Sequence, residues 1–158
     1  MCLTVPALFI LIGDGQVTLG DQYSIKRRCY IGNTTMDPTL AFVMANLARV
    51  TADSLVYDPF VGTGGLILSA AHFGASVFGS DIDYSVIHAE GKSSRKNVGY
   101  RSSDESILAN FVEQGLSDRY LGVFVADASN SDLLWRPDDI FDAIITDPYV
   151  PVFYLHNI

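Results

Sequence analysis

Four short apolar runs in this 158-residue chain each end in an aspartate, and helix-type patterns separate them. The runs are SLVYD closing on Asp58, SVFGSDID with Asp81, YLGVFVAD closing on Asp127, and FDAIITD closing on Asp147. Strands alternating with helices require parallel pairing and right-handed crossovers, which predicts an α/β fold, a doubly wound parallel sheet of Rossmann-like type. In such a sheet, ligands bind beyond the carboxyl ends of the strands, near the point where strand order reverses. Four acids at four such ends therefore make a constellation, although one aspartate after one strand is usually a turn or cap residue.

The intervening segments carry helix signals of unequal strength. Residues 37–50 open with Asp37 as N-cap and Pro38 at the first helical position, and Leu40, Val43, Met44 and Leu47 follow at helical spacing on one face. LILSAAHFG reads as a small-residue helix stopped by Gly74. Residues 84–97 are a weaker helix, interrupted by Gly91 and two serines. In SSDESILANFVEQGL, Ser102 and Glu105 have capping-box spacing, Ile107, Leu108, Phe111 and Val112 supply an apolar stripe, and Gly115 closes the helix. There is no internal repeat and no low-complexity linker.

Composition narrows the function. Apolar residues make up 49% and charged residues 18%, enough for one domain with its own core. A net charge of −8 opposes a phosphate backbone, so this segment alone is poorly suited to grip a nucleic-acid duplex. The short basic runs, Lys26-Arg27-Arg28 and Lys92 with Arg95 and Lys96, read as solvated faces. Cys2 and Cys29 are far apart, and His72, His88 and His156 have no ligand-pair spacing, so no zinc site is expected. A thiol-poor chain fits a reducing, cytoplasmic compartment. The start, MCLTVPALFILIG, lacks a basic leader and a small-residue cleavage site, and is too short to span a bilayer. It is expected to be a buried strand or a displaced segment, with no membrane partner.

The loop after the first run, DPFVGTGG, has glycines at 62, 64 and 65 that allow a tight turn and close approach of a ligand to the backbone. Its spacing is wrong for the dinucleotide fingerprint. A carboxylate beside it opposes a pyrophosphate and suits a cation, which favours a sulfonium-bearing nucleoside over a nicotinamide cofactor. Asp81 can then accept ribose hydroxyls and Asp127 an adenine amino group. Asp83 is the near alternative to Asp81, or the cap of the next helix.

These motifs, with GSDID, DAS and AIITDP, resemble those of class I methyltransferases that modify exocyclic amino groups. With YIGNTTMDPTLAFVMANLARV upstream, the chain resembles the family of catalytic subunits of the eukaryotic tRNA guanine-10 N2-methyltransferase, from about Ile12 to Pro148. The resemblance implies S-adenosylmethionine as cofactor, tRNA as substrate and a small zinc-containing activator subunit as partner. It puts Asp58, Gly62 and Gly64 around the methionine part of the cofactor, with Phe60 in the same loop, Asp81 on the ribose and Asp127 on the adenine. Asn33-Thr34-Thr35 aligns with a segment lining that pocket, with Thr34 as its binding residue, or serves as a polar lead-in to the helix.

In the family the closing motif reads Asp-Pro-Pro-Tyr. Asp147 and the Pro148 carbonyl would accept the amino hydrogens of the target base, and an aromatic ring would stack on it. Here Asp147-Pro148-Tyr149 lacks one Pro, so the ring of Tyr149 moves one position. The expected organisation is an N-terminal segment (1–30), a partial methyltransferase domain ending after the fourth strand (31–148) and a divergent tail (149–158). A truncated isoform or partial gene model is expected from this. Such a form either retains the cofactor-binding half of an enzyme or is inactive and acts only through its exposed apolar edge. A DNA or protein amino-group methyltransferase stays open from the closing motif alone.

Overall fold

The structure, a computed structural model, describes residues 15–130 and 140–148. The apolar start, Trp135, Pro137 and the tail from Tyr149 lie outside the described residues. Helix α1 (Val17–Gln22) leads into α2 (Pro38–Leu47), whose Asp37 cap accepts hydrogen bonds from the Thr39 and Leu40 amides. Then follow β1 (Leu55–Asp58), α3 (Gly65–His72), β2 (Ser76–Asp81), the single turn α4 (Tyr84–Ile87), α5 (Ile107–Glu113), β3 (Tyr120–Val125) and β4 (Ala143–Ile144). Among the described residues, no helix is long and apolar enough to cross a membrane.

All strand pairs are parallel and the order is β3-β2-β1-β4. The chain steps outward from β1 to β3 and then returns to the far side of β1, so strand order reverses beside the carboxyl end of β1. That is the crevice position in a doubly wound sheet. The expected topology is therefore the observed one. Four-strand pairing is shorter at the last strand than the sequence implies: residues 141–147 contribute only Ala143 and Ile144 to the ladder, flanked by backbone bonds from Asp142 to Leu55 and from Ile145 to Tyr57.

Helix α3 is buried along its length because it lies between the sheet and α2. Small residues set that packing. Ala41 and Ala45 of α2 and Ala70 and Ala71 of α3 are buried, while the rings of Tyr23, Phe42 and His72 meet edge to face nearby. The buried face of α2 is thus Pro38, Ala41, Phe42 and Ala45; of the expected stripe, Leu40, Val43 and Leu47 are exposed while Met44 is partly buried against the core. Close approach to α3 selects the alanine face over the bulkier one.

Three further expectations are corrected. Residues 84–97 form one helical turn, after which positive φ angles at Ala89, Gly91 and Asn97 prevent helix continuation. Helix α5 starts at Ile107 with Ser106 as its cap, not Ser102; Glu105 does reach back to the Ser102 amide, but Ser102 Oγ turns to Asp104. Ile107 and Phe111 of its stripe are buried, whereas Val112 is 60% exposed. Gly74 and Gly115 close their helices with positive φ, as expected. Arg28, read from sequence as part of a solvated run, is only 2% exposed.

Candidate functional site

The loop leaving β1 turns back onto β2. Gly62 (φ 53°) and Gly64 (φ 82°) hold left-handed conformations, and a Cβ on Gly64 would lie 2.8 Å from Ile107 Cγ2. The Val61 amide donates to the Ser80 carbonyl at 2.8 Å, and the Gly62 amide donates to Asp81 Oδ2 at 2.9 Å. Gly79 in β2 makes this fold-back possible, since a Cβ there would sit 2.6 Å from Val61 Cγ2. The loop is therefore fixed by β2 before any ligand arrives.

Asp58 sits under the loop, 1% exposed. Its Oδ1 accepts from the Phe60 amide at 3.0 Å and from Thr146 Oγ1, beyond β4, at 2.7 Å. Burial pushes its carboxyl up to about 6, against those two donors, which favour the charged form; the carboxylates of Asp81 and Asp147 push it further up. Acids from β1, β2 and the β4 end thus share one electrostatic environment, and the perturbing charges on Asp58 are all negative.

The other expected residues take distinct places. Asp81 receives the Gly62 amide on one oxygen and the Asp83 amide on the other, at 2.9 and 3.0 Å. Each oxygen keeps a second lone pair, so the carboxylate can still accept two hydroxyls. Asp83 caps α4, accepting from the Ser85 and Val86 amides. Asp127 is exposed beyond β3, and hydrogen bonds from Ser129 hold its carboxyl below the usual range. Phe60 is 42% exposed in the loop; Asp147 and Pro148 are exposed at the same rim. Tyr149 lies outside the described residues.

The segment before α2, Asn33-Thr34-Thr35, also reaches the loop, and the contact is made by Thr35. Thr34 is exposed in a turn, while Thr35 Oγ1 lies 3.1 Å from Thr63 Oγ1 and accepts from the Gly32 amide at 2.7 Å. Asn110 of α5 anchors this segment by accepting from the Tyr30 amide and donating to the Tyr30 carbonyl, both at 2.9 Å. The Arg101 guanidinium stacks 4.6 Å over the Tyr30 ring and donates to the Ile31 carbonyl. Sequence reasoning included Thr35 in the Asn33-Thr34-Thr35 segment without singling it out, and it missed Thr63, Gly79, Asn110 and Thr146. Ile82, between Asp81 and Asp83, is 67% exposed at this rim.

Comparison with known proteins decides the family. The model of the RMKL-like methyltransferase domain matches residues 26–149. The chain belongs to this family. Among curated relatives, the tRNA (guanine(10)-N(2))-methyltransferase TRMT11 of Rattus norvegicus is 56% identical over 137 residues, which cover 87% of this chain and 29% of that protein. The Homo sapiens protein of the same name is 53% identical over the same shares. The chain spans about three-tenths of the length of these relatives. Among solved structures, TrmN from Thermus thermophilus aligns with a TM-score of 0.56 at 20% identity, covering 87% of this chain and 33% of that one. A putative RNA methyltransferase from Pyrococcus horikoshii aligns at 0.55 and 17% identity, covering 85% and 60%. At those identities the structures show the fold, and it is the Rossmann-like fold read from the four runs. The family resemblance drawn from the motifs likewise holds.

Proposed function

We propose that this chain is the cofactor-binding part of a methyltransferase that moves the methyl group of S-adenosylmethionine to N2 of guanosine 10 in tRNA. The observation that carries the reading is the buried, crowded carboxylate of Asp58 beneath a pre-folded glycine loop. Its perturbing charges are negative, so a cation is the ligand that relieves them. S-adenosylmethionine brings a sulfonium and an ammonium group, and the loop offers close backbone approach at Gly62 and Gly64. Asp58, Phe60 and the two glycines would hold the methionine part, with Asp81 accepting from the ribose through its remaining lone pairs. Ile82 would offer apolar surface to the adenine, and Asp127 would accept from its amino group; Asp83 remains a cap. Thr35, with Thr34 beside it, would close the pocket over Thr63.

The cofactor supplies an electrophilic methyl on sulfur. A guanine amino group is a weak nucleophile because its lone pair is delocalised into the ring. The Asp147 carboxylate and the Pro148 carbonyl would accept its two hydrogens, aim the nitrogen in line with the methyl and receive a proton at Asp147 as the N–C bond forms. Such positioning can supply about 7–11 kcal/mol of barrier in well-oriented cases. Tyr149 would stack on the base.

The tRNA substrate follows from the relatives' names, and its capture would fall to parts of those longer proteins, since this segment is acidic. A small zinc-containing activator subunit is part of the same reading. β3 closes one side of the described sheet, with Leu121 and Val125 exposed, and such an edge fits a partner that adds a strand. A cytoplasmic setting belongs to the reading as well.

Titration calorimetry of the chain with S-adenosylmethionine tests it. Saturable binding that Asp81→Ala removes is the expected result. A folded sample that gives no heat would end the proposal. Methyl transfer to unmodified tRNA, with and without the activator, then separates an active domain from a binding module.

A further inference from the structure

Ladder pairing between β1 and β4 ends early. Val56 pairs with Ala143 and Tyr57 with Ile144, and the last backbone bond runs from the Ile145 amide to the Tyr57 carbonyl at 3.1 Å. The next connection between the two strand ends is made by a side chain, from Thr146 Oγ1 to Asp58 Oδ1 at 2.7 Å. Thr146 follows two apolar residues, Ile144 and Ile145, where an isosteric valine would suit an apolar strand equally well. Its hydroxyl instead meets a carboxylate that is nearly fully buried. A hydrogen bond to an ionised acceptor is about twice as strong as a neutral one.

We propose that Thr146 is a positioning residue whose hydroxyl ties the Asp147-Pro148 end of β4 to the acid beneath the glycine loop. The methyl donor and the acceptors for the amino group are thereby held in one frame. This rests on the reading of the site as a methyltransferase centre.

The link works in both directions. The groups facing Asp58 are the Phe60 amide from the loop, the Thr146 hydroxyl and Asp147 carboxylate from the β4 end, and Asp81 from β2. The two donors favour the ionised form and the two acids oppose it. A cation bound at the loop adds to the donors, so it strengthens the Thr146 bond and fixes the residue before Asp147. By reciprocity, an intact Thr146 bond favours cation binding wherever Asp58 is part protonated, and this coupling through its ionisation vanishes once the pH keeps the carboxylate charged.

The test uses the full chain as wild type, Thr146→Val and Thr146→Ser, with circular dichroism to verify folding. Carboxyl NMR follows the titration of Asp58, and calorimetry with S-adenosylmethionine is run from pH 5.5 to 8.5. Removing a hydrogen bond to a charged group is expected to move the Asp58 midpoint up by about one unit in Thr146→Val. From a starting value of about 6, cofactor affinity then falls about five-fold at pH 6 and matches wild type at pH 8.5. Thr146→Ser restores both. If Thr146→Val does not fold, Thr146→Ala takes its place. An unmoved midpoint, a loss of affinity independent of pH, or a serine variant that behaves like the valine one would overturn the proposal. If the midpoint moves but no variant binds S-adenosylmethionine, the link between Thr146 and Asp58 stands and the cofactor reading alone fails.

Discussion

Asp58→Asn is expected to make the protein more stable at neutral pH while removing the proposed cation site. The carboxyl titrates near 3.8 when free and is pushed up to about 6 in the fold, a difference of roughly two pH units. At 1.36 kcal/mol per unit this corresponds to about 3 kcal/mol. The group is fully buried, so solvent screening takes little from that figure. The native state holds its proton more tightly than the unfolded chain does. Between roughly pH 3.8 and pH 6 it therefore binds more protons, and stability declines as pH rises through this window and is flat above it. An asparagine has no such dependence, and its carbonyl can still accept from Thr146 and Phe60. For a chain of this size, about 3 kcal/mol corresponds to a rise of about 6–12 °C in Tm at pH 7.5, narrowing to less than about 1 kcal/mol at pH 4. Thermal melts of the two proteins across this range give the difference directly, because the other titrating groups are common to both. Equal Tm values at pH 7.5, or a gap that does not close in acid, would refute the reasoning. Gain of stability with loss of ligand is the pattern expected where a site keeps an unfavourable charge for function.

Two further substitutions probe the frame around the site. Gly79→Ala places a Cβ against Val61 Cγ2 and 2.9 Å from the Asp58 carbonyl, which should destabilise by about 1–3 kcal/mol in thermal melts. Asn110→Ala leaves the buried Tyr30 amide and carbonyl without partners and should lower the urea midpoint by the equivalent of about 2–4 kcal/mol, with cofactor affinity falling alongside as the Thr35 segment loosens.

The order of elements was legible because it rests on local patterns. Asp37 and Pro38 announce α2, Gly74 and Gly115 stop their helices, and each apolar run became a parallel strand. Which face of a helix would be buried was not legible. Leu40, Val43 and Leu47 outscore Ala41 and Ala45 in hydrophobicity, yet only the alanines allow α2 to approach α3, and the sequence of α2 does not contain that neighbour. Arg28 was misread for the same reason: a basic run looks solvated until a fold covers its last member. The break after Ile87 depends on residues such as Ala89 and Asn97 adopting positive φ, which their identity does not demand.

The site shows the same division between local signal and topology. Four strand-terminal acids were visible as a set, but their inequality was not. Among the described strands both β2 and β1 are flanked on each side, but β1 lies where strand order reverses, and its acid is overlaid by the loop, buried, and reached from β4. Asp127, one strand further out, stays exposed, and Asp83, two residues past Asp81, falls beyond the strand and caps a helix instead. Threonines illustrate the point most clearly. Thr35, Thr63 and Thr146 come from three separated segments, and although each lies inside a recognisable motif, nothing in those motifs says that each uses its hydroxyl at the loop or at the acid beneath it. Their role follows from adjacency, which strand order creates and which residue spacing alone cannot encode.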